Sequence, residues 1–162
     1  MLHRYDIALA AKMAEASYQG HDNRSLQPSI VRRLDEDDVQ AYFLKGNILL
    51  IPGSNSIADY VKYNLRVFNI GGKKYQLNDE TIEKGHSGTA WHQGFLAHAK
   101  VIFDWLKRED VRPDYIIGHS LGAAATQILV RTYGVPGIGF AAPRPQRHKS
   151  KIKHAELCLC IN

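Results

Sequence analysis

Long apolar runs are missing from this chain. The longest stretches, Asn47 to Pro52 and Ala123 to Val130, fall well short of the roughly 20 residues that a membrane-spanning helix requires, so no transmembrane helix is expected. The opening residues, Met1-Leu2-His3-Arg4-Tyr5-Asp6, carry an acid and no apolar core segment. That argues against a secretory signal peptide and gives a cytoplasmic expectation. Cysteine is scarce: Cys158 and Cys160 lie two apart in an apolar run that reads as a strand, so both fall on one face and a disulfide between them is disfavoured. No second ligand pair completes a metal site with them, and no metal is expected.

Acids are outnumbered, with 16 Asp and Glu against 21 Lys and Arg and a net charge of +5, a mild bias towards anionic partners. Much of it sits in Arg144, Arg147, Lys149, Lys151 and Lys153. A solvated loop explains that cluster, and the stretch lacks the interleaved aromatics of a nucleic-acid binder, so no nucleic-acid partner is expected.

What is present suffices for a folded unit. With 162 residues, 44% hydrophobic and 23% charged, residues 1–162 read as one domain with a continuous core. Residues 5–19 place Ile7, Ala10, Ala11, Ala14 and Tyr18 at helical spacing before Gly20, predicting a covering helix. Val39–Leu44 and Asn47–Ile51 read as hairpin-related strands around Lys45-Gly46, ended by the turn Pro52-Gly53-Ser54. Ile57 to Leu65 form an amphipathic pattern, Arg66 to Ile70 a further strand, and Gly71 to Thr89 an exposed loop. Phe95, Ala99, Ile102 and Leu106 mark a longer helix ending before Pro113. Tyr115–Gly118, Gly137–Ala141 and Leu157–Ile161 then read as strands, with Leu121–Tyr133 a helix closed by Gly134. Alternating helices and fully apolar strands predict an α/β fold with a mostly parallel sheet flanked by helices, in which function gathers at the carboxyl ends of the strands.

Gly118-His119-Ser120-Leu121-Gly122 falls between such a strand and helix, the setting of a nucleophile elbow. Chance alone produces Gly-x-Ser-x-Gly in about one such chain in twenty, so the placement carries the weight. Serine there occupies a strained turn that presents its hydroxyl, and side chains at Gly118 or Gly122 would collide as strand and helix close together. The start of the helix aims free N–H groups at an oxyanion, with Leu121 N–H the first donor. A tight structural turn is the competing reading.

Four segments then resemble the class 3, or fungal-lipase-like, lipases of the α/β-hydrolase superfamily. Ile116 to Ala124 looks like the family's nucleophile segment, with Ala123 where many members carry glycine. Ile51 to Tyr60 resembles its oxyanion turn, with Pro52 in place of the common Arg. Trp91-His92-Gln93-Gly94-Phe95 is similar to its His-x-Gly-Phe motif, and Gly139 to Arg144 to its Phe-Gly-x-Pro-Arg strand end. The resemblance implies a carboxylic-ester hydrolase acting on lipid esters through an acyl-enzyme at Ser120, with Leu121 and Ser54 as oxyanion donors and no cofactor.

It also implies that Ile57 to Leu65 is a lid touching lipid surfaces, although a helix packed permanently on the core gives the same pattern. An ordinary Gly-Ser turn is the alternative for Ser54, and His92 and His119 read as structural. After Ser120 the sequence offers only Glu156, His148 and His154, all ahead of the last strand. In this fold the acid and then the histidine follow a later strand, so the triad partners are expected to be absent, as in a truncated chain. A catalytically silent lipid- or partner-binding module is the second reading.

Overall fold

The computed structural model describes residues 6–18, 24, 26–36, 39–53, 82–84, 90–142 and 158–161. The expected patterns over Ile57–Leu65 and Arg66–Ile70, and Ser54, His148, His154 and Glu156, lie outside these residues.

The described elements run α1 (Ile7–Ala16), β1 (Ile30–Glu36), β2 (Val39–Leu44), β3 (Ile48–Ile51), β4 (Ile82–Lys84), β5 (Ala90–His92), α2 (Gln93–Arg108), β6 (Tyr115–His119), α3 (Leu121–Tyr133), β7 (Gly137–Phe140) and β8 (Cys158–Ile161). Six strands form one sheet in the order β1-β2-β3-β6-β7-β8. β2 runs antiparallel to both β1 and β3, and β3, β6, β7 and β8 are parallel. The sheet is therefore mostly parallel, as expected, with an antiparallel portion at one side: the hairpins of the first half cannot give parallel neighbours, whereas the strand–helix–strand connections of the second half can.

Period-2 alternation divides the core into two layers. Ala41, Phe43, Leu49, Ile51 and Ile116 pack with Phe95, Ile102, Leu106, Ala124 and Ile128 of α2 and α3. Tyr42, Leu44, Leu50, Tyr115, Ile117 and Ile138 face Ala10 and Ala14 of α1. Because helices cover both faces, β3 and β6 are apolar almost throughout, and Leu49, Leu50 and Ile51 are fully buried.

β1 has no counterpart in the sequence reading. It is an edge strand, Ile-Val-Arg-Arg-Leu-Asp-Glu, in which only Leu34 is buried. Its charges hide the apolar alternation, and charged side chains are a common feature of strands at the edge of a sheet. Arg32 and Glu36 pair with Glu109 and Arg108 near the end of α2, at 3.0 and 2.7 Å. A second correction concerns the expected loop Gly71 to Thr89, which contains β4, paired antiparallel with β5.

The helices start and stop for local reasons. Asp6 caps α1 by accepting the Ala8 N–H at 2.9 Å, and Ser17 Oγ donates to Ala14 O at 2.6 Å. This helix is shorter than the spacing suggested: Tyr18 lies beyond its end, and Ile7 is 49% exposed. α3 matches its expected range and ends on Gly134 in the left-handed conformation, which a residue without Cβ adopts at little cost. The β2–β3 turn uses Gly46 and Asn47 at φ 78 and 56, so β3 starts one residue later than expected. Asn47 O accepts the Asp114 N–H at 2.8 Å and holds that turn to the start of β6.

Candidate active site

Strand register brings the site together. Ile51 stands beside Gly118, Gly118 beside Gly139, and His119 beside Phe140. Pro52-Gly53, His119-Ser120 and Ala141 therefore emerge side by side at the carboxyl end of the parallel strands, where such sheets hold their ligands.

Ser120 is the single residue between β6 and α3, with φ 50 and ψ −117. A residue with a Cβ reaches that region only at a cost of order 1–3 kcal/mol, sustained by its surroundings. The surroundings are specific. Ser120 N–H donates to Phe140 O at 2.9 Å, and its carbonyl accepts the Ala123 and Ala124 N–H groups at 3.0 and 3.2 Å. Its side chain makes no capping hydrogen bond to the helix, and the residue is half-buried.

The flanking glycines are required by contact. A Cβ on Gly118 would stand 2.6 Å from the Gly122 carbonyl carbon, and one on Gly122 2.5 Å from Pro52 O. Thr126 Oγ1 donates to Gly122 O at 2.9 Å in the same crowded spot. Gly139 leaves room for Ala123, whose methyl would stand 2.9 Å from any Cβ on it. The tolerance of Ala123 thus follows from the strand beside it. Leu121 is buried at the start of α3, where a helix leaves its first N–H groups without intrahelical acceptors.

The turn after β3 presses on the serine. A Cβ on Gly53 would stand 3.0 Å from Ser120 Cβ and 3.1 Å from His119 O, and would collide with the Tyr18 hydroxyl. That hydroxyl is hydrogen-bonded to His119 Nδ1, with the two rings edge to face at 5.3 Å between centroids. Burial pushes the Tyr18 phenol above its usual pKa, against a smaller opposing effect of the Gly53 N–H, and holds His119 below the usual histidine value. His119 therefore faces Tyr18, in keeping with a structural position.

Of the residues singled out in the sequence, the structure joins Gly118, Ser120, Leu121 and Gly122 in one elbow and sets Gly53 against it. Ser54 follows Gly53 but lies outside the described residues, and of His92 only its place at the end of β5 is described. Sequence reasoning missed Tyr18, whose apolar ring fitted a helix face and gave no sign of a long-range bond. Among the described residues no group of His, Cys, Asp and Glu suited to a metal is present. A groove of about 450 Å³ lined by Phe103, Leu106, Val111 and Tyr133 lies at the far end of α3 from Ser120.

No protein-family model matches the chain. ATG15, an inferred lipase of Yarrowia lipolytica, is 29% identical over 73 residues, which are 44% of this chain and 13% of that protein. The crystal structure of the Lip2 lipase from Yarrowia lipolytica is similar with a TM-score of 0.51 at 14% identity, over 84% of this chain and 58% of that one. A triacylglycerol lipase from Penicillium expansum gives a TM-score of 0.46 at 16% identity, over 85% and 58%. The chain thus spans little more than half the length of the solved lipases and a small part of ATG15. Its fold is a lipase-like α/β-hydrolase fold, of the kind the resemblance to class 3 lipases implied.

Proposed function

We propose that this chain carries the nucleophile of a serine ester hydrolase whose substrates are lipid carboxylic esters. One observation carries the reading: Ser120 is held at φ 50, ψ −117 between a strand and a helix that approach too closely for a Cβ at Gly118 or Gly122. Such strain persists only where the surroundings enforce it, and here the serine hydroxyl does not cap the helix that follows. The lipase-like fold and the similarity to ATG15 support the same assignment.

In the reaction, Ser120 Oγ attacks the ester carbonyl carbon as its proton passes to a general base that lies outside the described side chains. The Leu121 N–H and the N–H of Ser54, next after Gly53, receive the carbonyl oxygen as it becomes an oxyanion. Collapse breaks the carbon–oxygen bond to the alcohol, which leaves with the base's proton, and water then releases the acid from the acyl-serine. Serine, ester and water balance these steps without a cofactor. His98 is buried in the core and His119 is bonded to Tyr18, so the base is assigned to neither. Lipid esters are presented at a lipid–water surface, and transient contact with one belongs to the proposal.

A fluorophosphonate probe tests it. The folded chain should be labelled, and Ser120→Ala should abolish labelling. Labelling that survives in the variant would overturn the assignment, and no labelling of the wild type would favour a silent binding module on the hydrolase scaffold.

A further inference from the structure

Two elements that meet at Ser120 are joined by a side chain from a third. Tyr18, just beyond the end of α1, reaches His119, 101 positions away, and the Gly53 amide in the turn after β3. Burial keeps the His119 imidazole neutral, and its Nδ1 accepts the hydrogen bond of the phenol O–H when the ring's own proton is on Nε2.

Gly53 sits between the Tyr18 hydroxyl and Ser120 Cβ, with no room for a side chain of its own. The distance from the turn after β3 to the nucleophile is therefore set on one side by Ser120 and on the other by Tyr18. The geometry points to Tyr18 as a positioning residue that, acting through Gly53 and His119, fixes the gap between the oxyanion turn and the Ser120 elbow. This rests on the ester-hydrolase reading above. The depressed pKa of His119, a consequence of burial, agrees with an imidazole that remains neutral and accepts the phenol's hydrogen bond.

Tyr18→Phe keeps the ring and removes only the hydroxyl. Phosphonylation of Ser120 should slow about tenfold at saturating fluorophosphonate, with half-saturation unchanged, because positioning affects the reaction step rather than binding. His119→Leu should lose a similar factor, and Tyr18→Phe combined with His119→Leu should lose little more than either. His119→Asn, which keeps an acceptor near Nδ1, should retain most of the wild-type rate. The Gly53 amide resonance should shift in Tyr18→Phe as the hydroxyl packed against it disappears. If Tyr18→Phe is phosphonylated at the wild-type rate, or the two losses multiply, the positioning role is overturned while the ester-hydrolase reading stands. If rates fall only in proportion to a lowered melting temperature, Tyr18 is merely structural and the inference fails. If the wild-type chain is not labelled at Ser120, the ester-hydrolase reading itself fails and takes the inference with it.

Discussion

Adding one methyl group at Gly122 tests whether the elbow is held by steric contact. In Gly122→Ala the new carbon would lie 2.5 Å from Pro52 O and 2.8 Å from Ile51 C, closer than carbon approaches either in a relaxed structure. Both are backbone atoms at the end of a fully buried strand, so no rotamer change relieves the clash. Either β3 or α3 must shift, and overpacking of this kind costs about 1–3 kcal/mol. For a chain of this size that lowers the melting temperature by about 3–10 °C, and Gly122→Val should do more harm. Gly46→Ala supplies the control: its φ is 78 but nothing lies within 4 Å, so it pays for backbone conformation alone, about 1 kcal/mol. Gly122 lacks a positive φ, so its cost is purely one of contact. Thermal unfolding by circular dichroism compares the two, with fluorophosphonate labelling following the site. A Gly122→Ala protein that melts no lower than Gly46→Ala would refute the steric account.

Two further perturbations follow from the same structure. Burial lowers the His98 pKa from 6.5 to about 4, and its Nε2 has no hydrogen-bond partner among the described residues. The folded state therefore refuses a proton that the unfolded state accepts, so this contribution is complete above about pH 6.5 and is lost as pH falls towards 4, by about 3 kcal/mol in all. Urea unfolding across that window should show His98→Phe less pH-sensitive than wild type, and parallel profiles would contradict it. Ser120→Gly removes the Cβ from a strained backbone and should melt at or above the wild-type temperature while losing all labelling, whereas a clear drop in melting temperature would mean that Ser120 is not strained.

The second half of the fold was legible because its signals are local. Leu121–Tyr133 has a helical pattern and a glycine stop, and the fully apolar strands before and after it announce burial on both faces. The elbow was legible for the same reason, since its glycines, serine and flanking elements lie within a few residues of one another. β1 was not, because an edge strand with one buried residue in seven looks like polar loop. The length of α1 was overestimated because Tyr18 continues the helical spacing past Ala16, where the helix ends. The bond from Tyr18 to His119 spans 101 positions and has no periodicity to reveal it. Gly53 was noticed as part of a turn, but that its missing side chain makes room for Tyr18 and Ser120 emerges only once β3 and β6 lie in register.

The central claim is that Ser120 is a nucleophile that accepts an acyl group, and trapping that group tests it most directly. A short-chain nitrophenyl ester mixed with the folded protein should release a burst of nitrophenolate approaching one equivalent, and rapid acid quenching should leave one acyl group on the peptide that contains Ser120. Ser120→Ala should show neither burst nor adduct. An acyl group found instead on a lysine, tyrosine or histidine, or a burst that survives in Ser120→Ala, would contradict the account.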